Sequence, residues 1–204
     1  MKRVAPAPSP SEHPRPLQVL AISGSLRRDS HNTALLRAAE ELLPPSAELE
    51  IFDGLKGVEP YDEDDDQGAG PAGARRLREA IASADAILIA TPEYNSSTPG
   101  QLKNALDWGS RPKGENALWG KPVAVVGAST GMFGAVWSQA EVRKVLAASA
   151  ARVIDKDLPV GHAQEAFTND GRLESVELRE RYTEILDELI ALAEQVAEPA
   201  QIAA

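Results

Sequence analysis

Ala86-Ile87-Leu88-Ile89-Ala90 runs directly into Thr91-Pro92-Glu93-Tyr94-Asn95-Ser96-Ser97-Thr98-Pro99-Gly100-Gln101-Leu102-Lys103-Asn104. The first five residues are all apolar, the pattern of a strand buried on both faces of a parallel sheet. Two prolines seven residues apart then enclose Asn and Ser. Proline fixes φ and donates no backbone hydrogen bond, so this segment reads as a rigid loop. Pro99 can open the helix that follows, over about Gly100 to Gly109. A rigid loop at the C-terminal end of a buried parallel strand is where open α/β sheets bind ligands.

Outward from this stretch the same pattern recurs. Leu17 to Ser23 reads as a first strand, ending in Gly24-Ser25-Leu26-Arg27-Arg28-Asp29-Ser30-His31-Asn32-Thr33. Apolar residues from Ala34 to Leu43 then fall at helical spacing until Pro44-Pro45. A polar loop opening a helix gathers backbone N–H groups and the positive end of the helix dipole, which favours an anionic phosphate. Ser25, Ser30, Asn32 and Thr33 add neutral donors and Arg27 adds charge. Ordinary N-capping by Ser30 or Asn32 is the plainer reading, but capping alone does not call for an Arg and four small polar residues in one turn. Neither the Walker ending nor Gly-x-Gly-x-x-Gly is present.

Ala47 to Phe52 alternates polar and apolar, as a strand near a sheet edge would. Residues 54–73 are irregular, and Tyr61-Asp62-Glu63-Asp64-Asp65-Asp66 lacks calcium-loop spacing, so it reads as a solvated, mobile acidic loop. Arg75 to Ser83 is a short helix. Pro122 to Ala128 is a fourth strand, followed by Ser129-Thr130-Gly131-Met132-Phe133-Gly134. Glycines 127, 131 and 134 allow close backbone approach to a flat ligand. Ala135 to Ala150 is a helix, Arg152-Val153-Ile154 a short fifth strand with Leu158-Pro159-Val160 in the loop beyond, and about Leu173 to Val196 a last helix.

Alternating strands and helices imply a parallel sheet covered on both sides. Right-handed crossovers leave a flavodoxin-like α/β three-layer sandwich, five parallel strands in the order 2-1-3-4-5. The loops after strands 1, 3 and 4 then converge at one edge, and a phosphorylated planar ligand matches all three. The domain spans 17–197, between a disordered proline-rich tail, 1–16, and a short tail, 198–204.

Composition narrows the chemistry. The 204-residue chain has no cysteine, hence no disulfide, thiolate nucleophile or iron–sulfur cluster. Its net charge of −10 argues against binding nucleic acid through a general basic surface. No apolar run reaches the ~20 residues of a membrane span. Met1 to Pro16 holds five prolines and no apolar signal segment. A cytoplasmic location is expected.

The combination resembles the NADPH-dependent FMN reductase family, within the flavodoxin-like quinone, chromate and azo-dye reductases. It is carried by Gly24-Ser25-Leu26-Arg27-x-x-Ser30-x-Asn32, by Thr91-Pro92-Glu93-Tyr94-Asn95-x-Ser97-x-Pro99-Gly100-x-Leu102-Lys103-Asn104-Ala105-x-Asp107-Trp108, and by Gly127-x-x-x-Gly131-x-x-Gly134 with Gln139 and Arg143, over about residues 17–155. The resemblance implies non-covalent FMN. Ser25, Arg27, Ser30, Asn32 and Thr33 would surround its phosphate. Pro92, Glu93, Tyr94 and Asn95 would line the isoalloxazine, and Ser129, Thr130 and Gly131 its pyrimidine edge. NADPH or NADH would deliver hydride to the flavin, which passes it to a small-molecule acceptor: quinone, free flavin, azo dye, nitroaromatic or metal oxyanion. No acid–base residue is required.

Glu93 reads equally as a flavin neighbour or as a carboxylate bracing its loop. His31 and His162 read as surface residues, and Lys103 as a partner of Asp107. Arg111 and Lys113 are candidates for a nucleotide 2′-phosphate clamp. The resemblance also implies a homodimer or homotetramer, with the helix after Asp107 and Trp108 and the region Trp137 to Arg143 as candidate contacts. A flavodoxin-like electron carrier docking on basic protein partners is the alternative, and a flavin-free binding protein a third reading.

Overall fold

The computed structural model describes residues 15–197. The expected tails lie outside these residues except Arg15 and Pro16, where the Arg15 guanidinium grips the Asp85 carboxylate at 2.7 and 2.8 Å. The elements are β1 (Leu17–Ser23), α1 (His31–Glu40), β2 (Ala47–Ile51), a 3-10 turn (Leu55–Gly57), α2 (Ala72–Ser83), β3 (Ala86–Thr91), α3 (Gly100–Gly109), β4 (Pro122–Ala128), α4 (Val136–Ala148), β5 (Arg152–Val153), β6 (Pro159–Val160) and α5 (Val176–Ala197). The sheet is parallel throughout, in the order β2-β1-β3-β4-β5. This is the flavodoxin-like arrangement expected from the strand–helix alternation.

One difference is a sixth strand. Leu158-Pro159-Val160, expected as loop, contains β6, which pairs in parallel with the C-terminal end of β4 while β5 pairs with its start. The two short strands share one sheet position. Pro159 cannot donate to a ladder, and the buried Gln139 carboxamide takes over nearby, accepting from Leu158 N–H at 3.0 Å and donating to Gly134 and Leu158 carbonyls. Pro159 in so short a stretch argued against a strand and hid β6 in the sequence, whereas β5, equally short, carries no proline.

Alternation along β3 divides the core. Ala86, Leu88 and Ala90 join the cluster under α1 and α5, whereas Ile87 and Ile89 join the one under α2, α3 and α4. β4 repeats this with Ala124, Val126 and Ala128 on the first side and Val123 and Val125 on the second. Trp108 is fully buried, its indole N–H donating to the Glu59 carbonyl at 2.8 Å with Arg78 stacked on the ring. It is a core residue of its own chain, which removes it as a subunit contact. In the acidic loop, Asp66 is held by Arg78 at 2.7 Å, largely shielded from solvent.

Candidate functional site

The loops leaving β1, β3 and β4 meet at the C-terminal edge of the sheet. Nine of the twelve residues expected at the site line one cleft there: Ser25, Arg27, Ser30, Asn32, Pro92, Glu93, Tyr94, Ser129 and Thr130, joined by His31 and Ala128. Thr33, Asn95 and Gly131 are not among its lining residues. The cleft is shallow and open to solvent, with a volume of about 130 Å³.

The first loop is organised by capping. Ser30 Oγ accepts from the Asn32 and Thr33 N–H groups at 3.2 Å each, starting α1 at His31, three residues earlier than apolar spacing alone indicates. Asn32 is buried and clasps the end of β4: its Nδ2 donates to the Ala128 carbonyl and its Oδ1 accepts from the Ala128 N–H, both at 2.9 Å. Thr33 gives its hydroxyl proton to Ser23 Oγ at 2.9 Å. Two of the five side chains expected around a phosphate are thus tied inward. Ser25 is half-buried and Arg27 exposed, and neither side chain donates a bond among the described residues.

The second loop is clasped to α4 at both ends. Glu93 Oε2 accepts from the Trp137 and Ser138 N–H groups at 3.1 and 3.2 Å. α4 has no side-chain cap of its own, because Ala135 occupies the N-cap with φ 61°, so the carboxylate fills that role from across the cleft. The bracing reading of Glu93 is the one its hydrogen bonds describe. In return Glu141, on α4, accepts from Ser97 Oγ and the Thr98 N–H at 2.7 Å each. The Thr98 amide, and then Ser97, hold the Glu141 carboxyl below the usual carboxylate range. Buried Thr91 pairs with Ser138 at 2.7 Å beneath. Between the clasps, Tyr94 and Ser97 exchange both backbone hydrogen bonds at 3.1 Å around Asn95 (φ 53°) and Ser96 (φ 60°), a two-residue turn with both central residues left-handed. Tyr94 stands at its base, 51% exposed. None of Glu141, Ser138 or Ala128 was singled out from sequence, since each acts through a partner more than 40 positions away.

The third loop is pinned from below. Ser129 N–H donates to Val160 O, Ala163 N–H to Ser129 O, and His162 N–H to Gly131 O. Gly131 N–H donates to Ser129 Oγ at 3.1 Å. The Thr130 N–H has no partner among the described residues and is exposed. Gly127 is required where the loop begins: a Cβ there would lie 2.8 Å from Thr91 O and 2.9 Å from Gln139 Nε2. Beyond it, Met132, Phe133 and Trp137 are exposed, the last two rings edge-to-face with centroids 5.0 Å apart.

The donor set matches a phosphorylated planar ligand. Around the cleft are the N-terminus of α1, the Ser25 hydroxyl, whose proton has no acceptor among the described residues, and the exposed Arg27 guanidinium. With them are Tyr94 and an unpartnered backbone N–H. The Glu93 carboxylate is turned to the N-terminus of α4, where Oε2 accepts from two backbone N–H groups. Arg111 and Lys113 do not share this cleft. They line a separate hollow with Lys103, Asp107 and Trp119. Within one chain they form no clamp beside the cleft. Lys103 pairs with Asp107 at 2.6 Å, as expected. Among the described residues no group of three His, Cys, Asp or Glu is arranged to hold a metal ion, and no helix is long and apolar enough to cross a membrane.

Comparison with known proteins identifies the family. An NAD(P)H-dependent FMN reductase of Pseudomonas aeruginosa is 44% identical over 165 residues, covering 80% of this chain and 88% of its own. A 2-hydroxy-1,4-benzoquinone reductase of a Burkholderia species is 36% identical over 176 residues, covering 86% and 95%. The solved structure of the flavoenzyme NAD(P)H:(acceptor) oxidoreductase of Paracoccus denitrificans aligns with a TM-score of 0.77 at 32% identity, over 88% of this chain and 98% of that one. The sequence profile described as NADPH-dependent FMN reductase matches residues 17–165. With all three motif loops inside that span, this chain belongs to the NADPH-dependent FMN reductase family.

Proposed function

We propose that the protein is an FMN-dependent NAD(P)H oxidoreductase of the cytoplasm that reduces a small-molecule acceptor, with quinones the preferred class. The observation that carries this is the convergence of Ser25 and Arg27, Pro92 to Tyr94, and Ser129 with Thr130 on one cleft. The relatives, named as FMN and quinone reductases, support an enzyme over an electron carrier. Bound FMN supplies the redox chemistry, accepting reducing equivalents from NAD(P)H and passing them to the acceptor.

The chain's own residues bind and orient. Arg27 and the Ser25 hydroxyl seat the phosphate against the α1 dipole. Glu93 and Glu141 hold the 92–99 loop rigid, so Pro92 and Tyr94 form a fixed wall. The Thr130 N–H donates at the pyrimidine edge, where negative charge accumulates on reduction. No side chain is assigned a proton-transfer role. The molecule is further proposed to be a homodimer or homotetramer, with Met132, Phe133 and Trp137 as contact residues. Large aromatics exposed together favour burial against a partner.

The test is a flavin titration followed by anaerobic NADPH. Retained flavin absorbance that bleaches with NADPH and returns on adding a quinone is expected. Retained flavin that NADPH cannot bleach would select the electron carrier instead. Arg27→Ala and Ser25→Ala are expected to weaken FMN retention, each by roughly tenfold, with little change in melting temperature. Unchanged FMN affinity in both would remove the phosphate assignment.

A further inference from the structure

The phosphate seat has fewer side-chain donors than its polar sequence suggests. Asn32 is spent on Ala128 and Thr33 on Ser23. Arg27 is the single cationic Lys or Arg side chain lining the cleft among the described residues, in a chain of net charge −10. A phosphate monoester carries close to two negative charges at neutral pH. The inner wall holds one more group that can answer it. His31, the first residue of α1, lines the same cleft beside Ser25, Arg27 and Ser30. Its imidazole has no hydrogen-bond partner among the described residues. It is half-buried and lies parallel to the ring of Phe167, centroids 6.4 Å apart and planes within 6°. Phe167 is itself fixed, in a bridge to Leu173 closed by the Thr168 N–H donating to Arg172 O at 2.8 Å. At a centroid separation of 6.4 Å the two nearly parallel rings lie offset beside one another, and imidazole has at least one N–H to donate in either protonation state.

We propose that His31 is a phosphate-binding residue, donating from its imidazole to the terminal phosphate of FMN, and that Phe167 is the positioning residue that holds the ring. This rests on the flavin reading above and adds to it a binding side chain that the polar-loop pattern passes over.

The experiment compares the affinity of the whole protein for FMN and for riboflavin, the same ligand without its phosphate, by quenching of flavin fluorescence. His31→Phe keeps a ring against Phe167 and removes the N–H. It is expected to weaken FMN by roughly tenfold or more while riboflavin stays within about twofold. His31→Gln, which restores a donor, recovers part of the FMN affinity. Phe167→Ala weakens FMN by a smaller factor and again spares riboflavin. Wild-type FMN affinity in His31→Phe overturns the proposal, as does loss of FMN and riboflavin by a common factor, which marks a distorted cleft. Where riboflavin binds even the wild type too weakly to titrate, FMN loss in His31→Phe with recovery in His31→Gln decides in favour, and no loss decides against. Failure of the flavin reading itself looks different: the unmodified protein would not bind FMN at all.

Discussion

Asn32 joins the first and third loops of the cleft through two hydrogen bonds to the backbone of Ala128, 96 positions away. Asn32→Ala leaves both Ala128 groups buried and unpaired. It is expected to cost about 2–3 kcal/mol by chemical denaturation, and to weaken FMN binding although the side chain is turned inward. That pair of effects was not legible in the sequence. The polar residues of 25–33 pointed to an anion site. Which of them faces a ligand and which holds the loop depends on partners brought in by folding. The opposite case is Ser96, with φ 60° in a turn that favours glycine. Ser96→Gly is expected to stabilise the protein by about 0.5–1 kcal/mol, read as a raised melting temperature. A lowered melting temperature would mean that the turn leaves its left-handed geometry in solution.

At the scale of elements, the loop 92–99 and helix α4 form one clasped unit. Two prolines bound the loop, and its hydrogen bonds to α4 add restraints that the prolines do not supply. Glu93 caps α4, and Glu141 returns two bonds to the loop. Glu93→Ala is expected to cost about 1 kcal/mol, the usual loss of a helix cap. Glu141 has its carboxyl held below its ordinary range, so its contribution is fully present above the unfolded carboxylate pKa and fades as pH falls through the lower folded value. The difference in melting temperature between wild type and Glu141→Gln should therefore be largest at neutral pH and close in acid. A gap that persists at low pH would show that the bonds to Ser97 and Thr98 do not depend on the charge. Helices were readable from period to within about three residues at their starts, and the long strands from apolar runs or alternation. β6 was not, because Pro159 argued against a strand there and its evidence is Gln139 reaching from α4.

Across the whole molecule, alternation of strand and helix sufficed for the topology, and the runs of β3 and β4 sufficed for the two-sided core. Quaternary contacts were less legible. Trp108 and Trp137 look alike in sequence, yet one is sealed under Arg78 and the other is 48% exposed. Sedimentation velocity is expected to give a dimer or tetramer, with Trp137→Glu shifted toward monomer. A wild-type monomer at all concentrations would end the assembly proposal. The closing helix carries a different consequence. α5 covers the Ala-rich side of β3 and β4 with Tyr182, Ile185, Leu186 and Leu189, and Tyr182 O–H donates to Leu35 O at 3.1 Å. Its residues come after the span matched by the family profile and after every loop of the cleft. During synthesis, then, all three ligand loops leave the ribosome while one flank of their sheet still lacks its cover. The nascent chain must wait for the 22 residues of α5 before that oily surface, which α1 covers only in part, is out of reach of chaperones and of neighbouring chains.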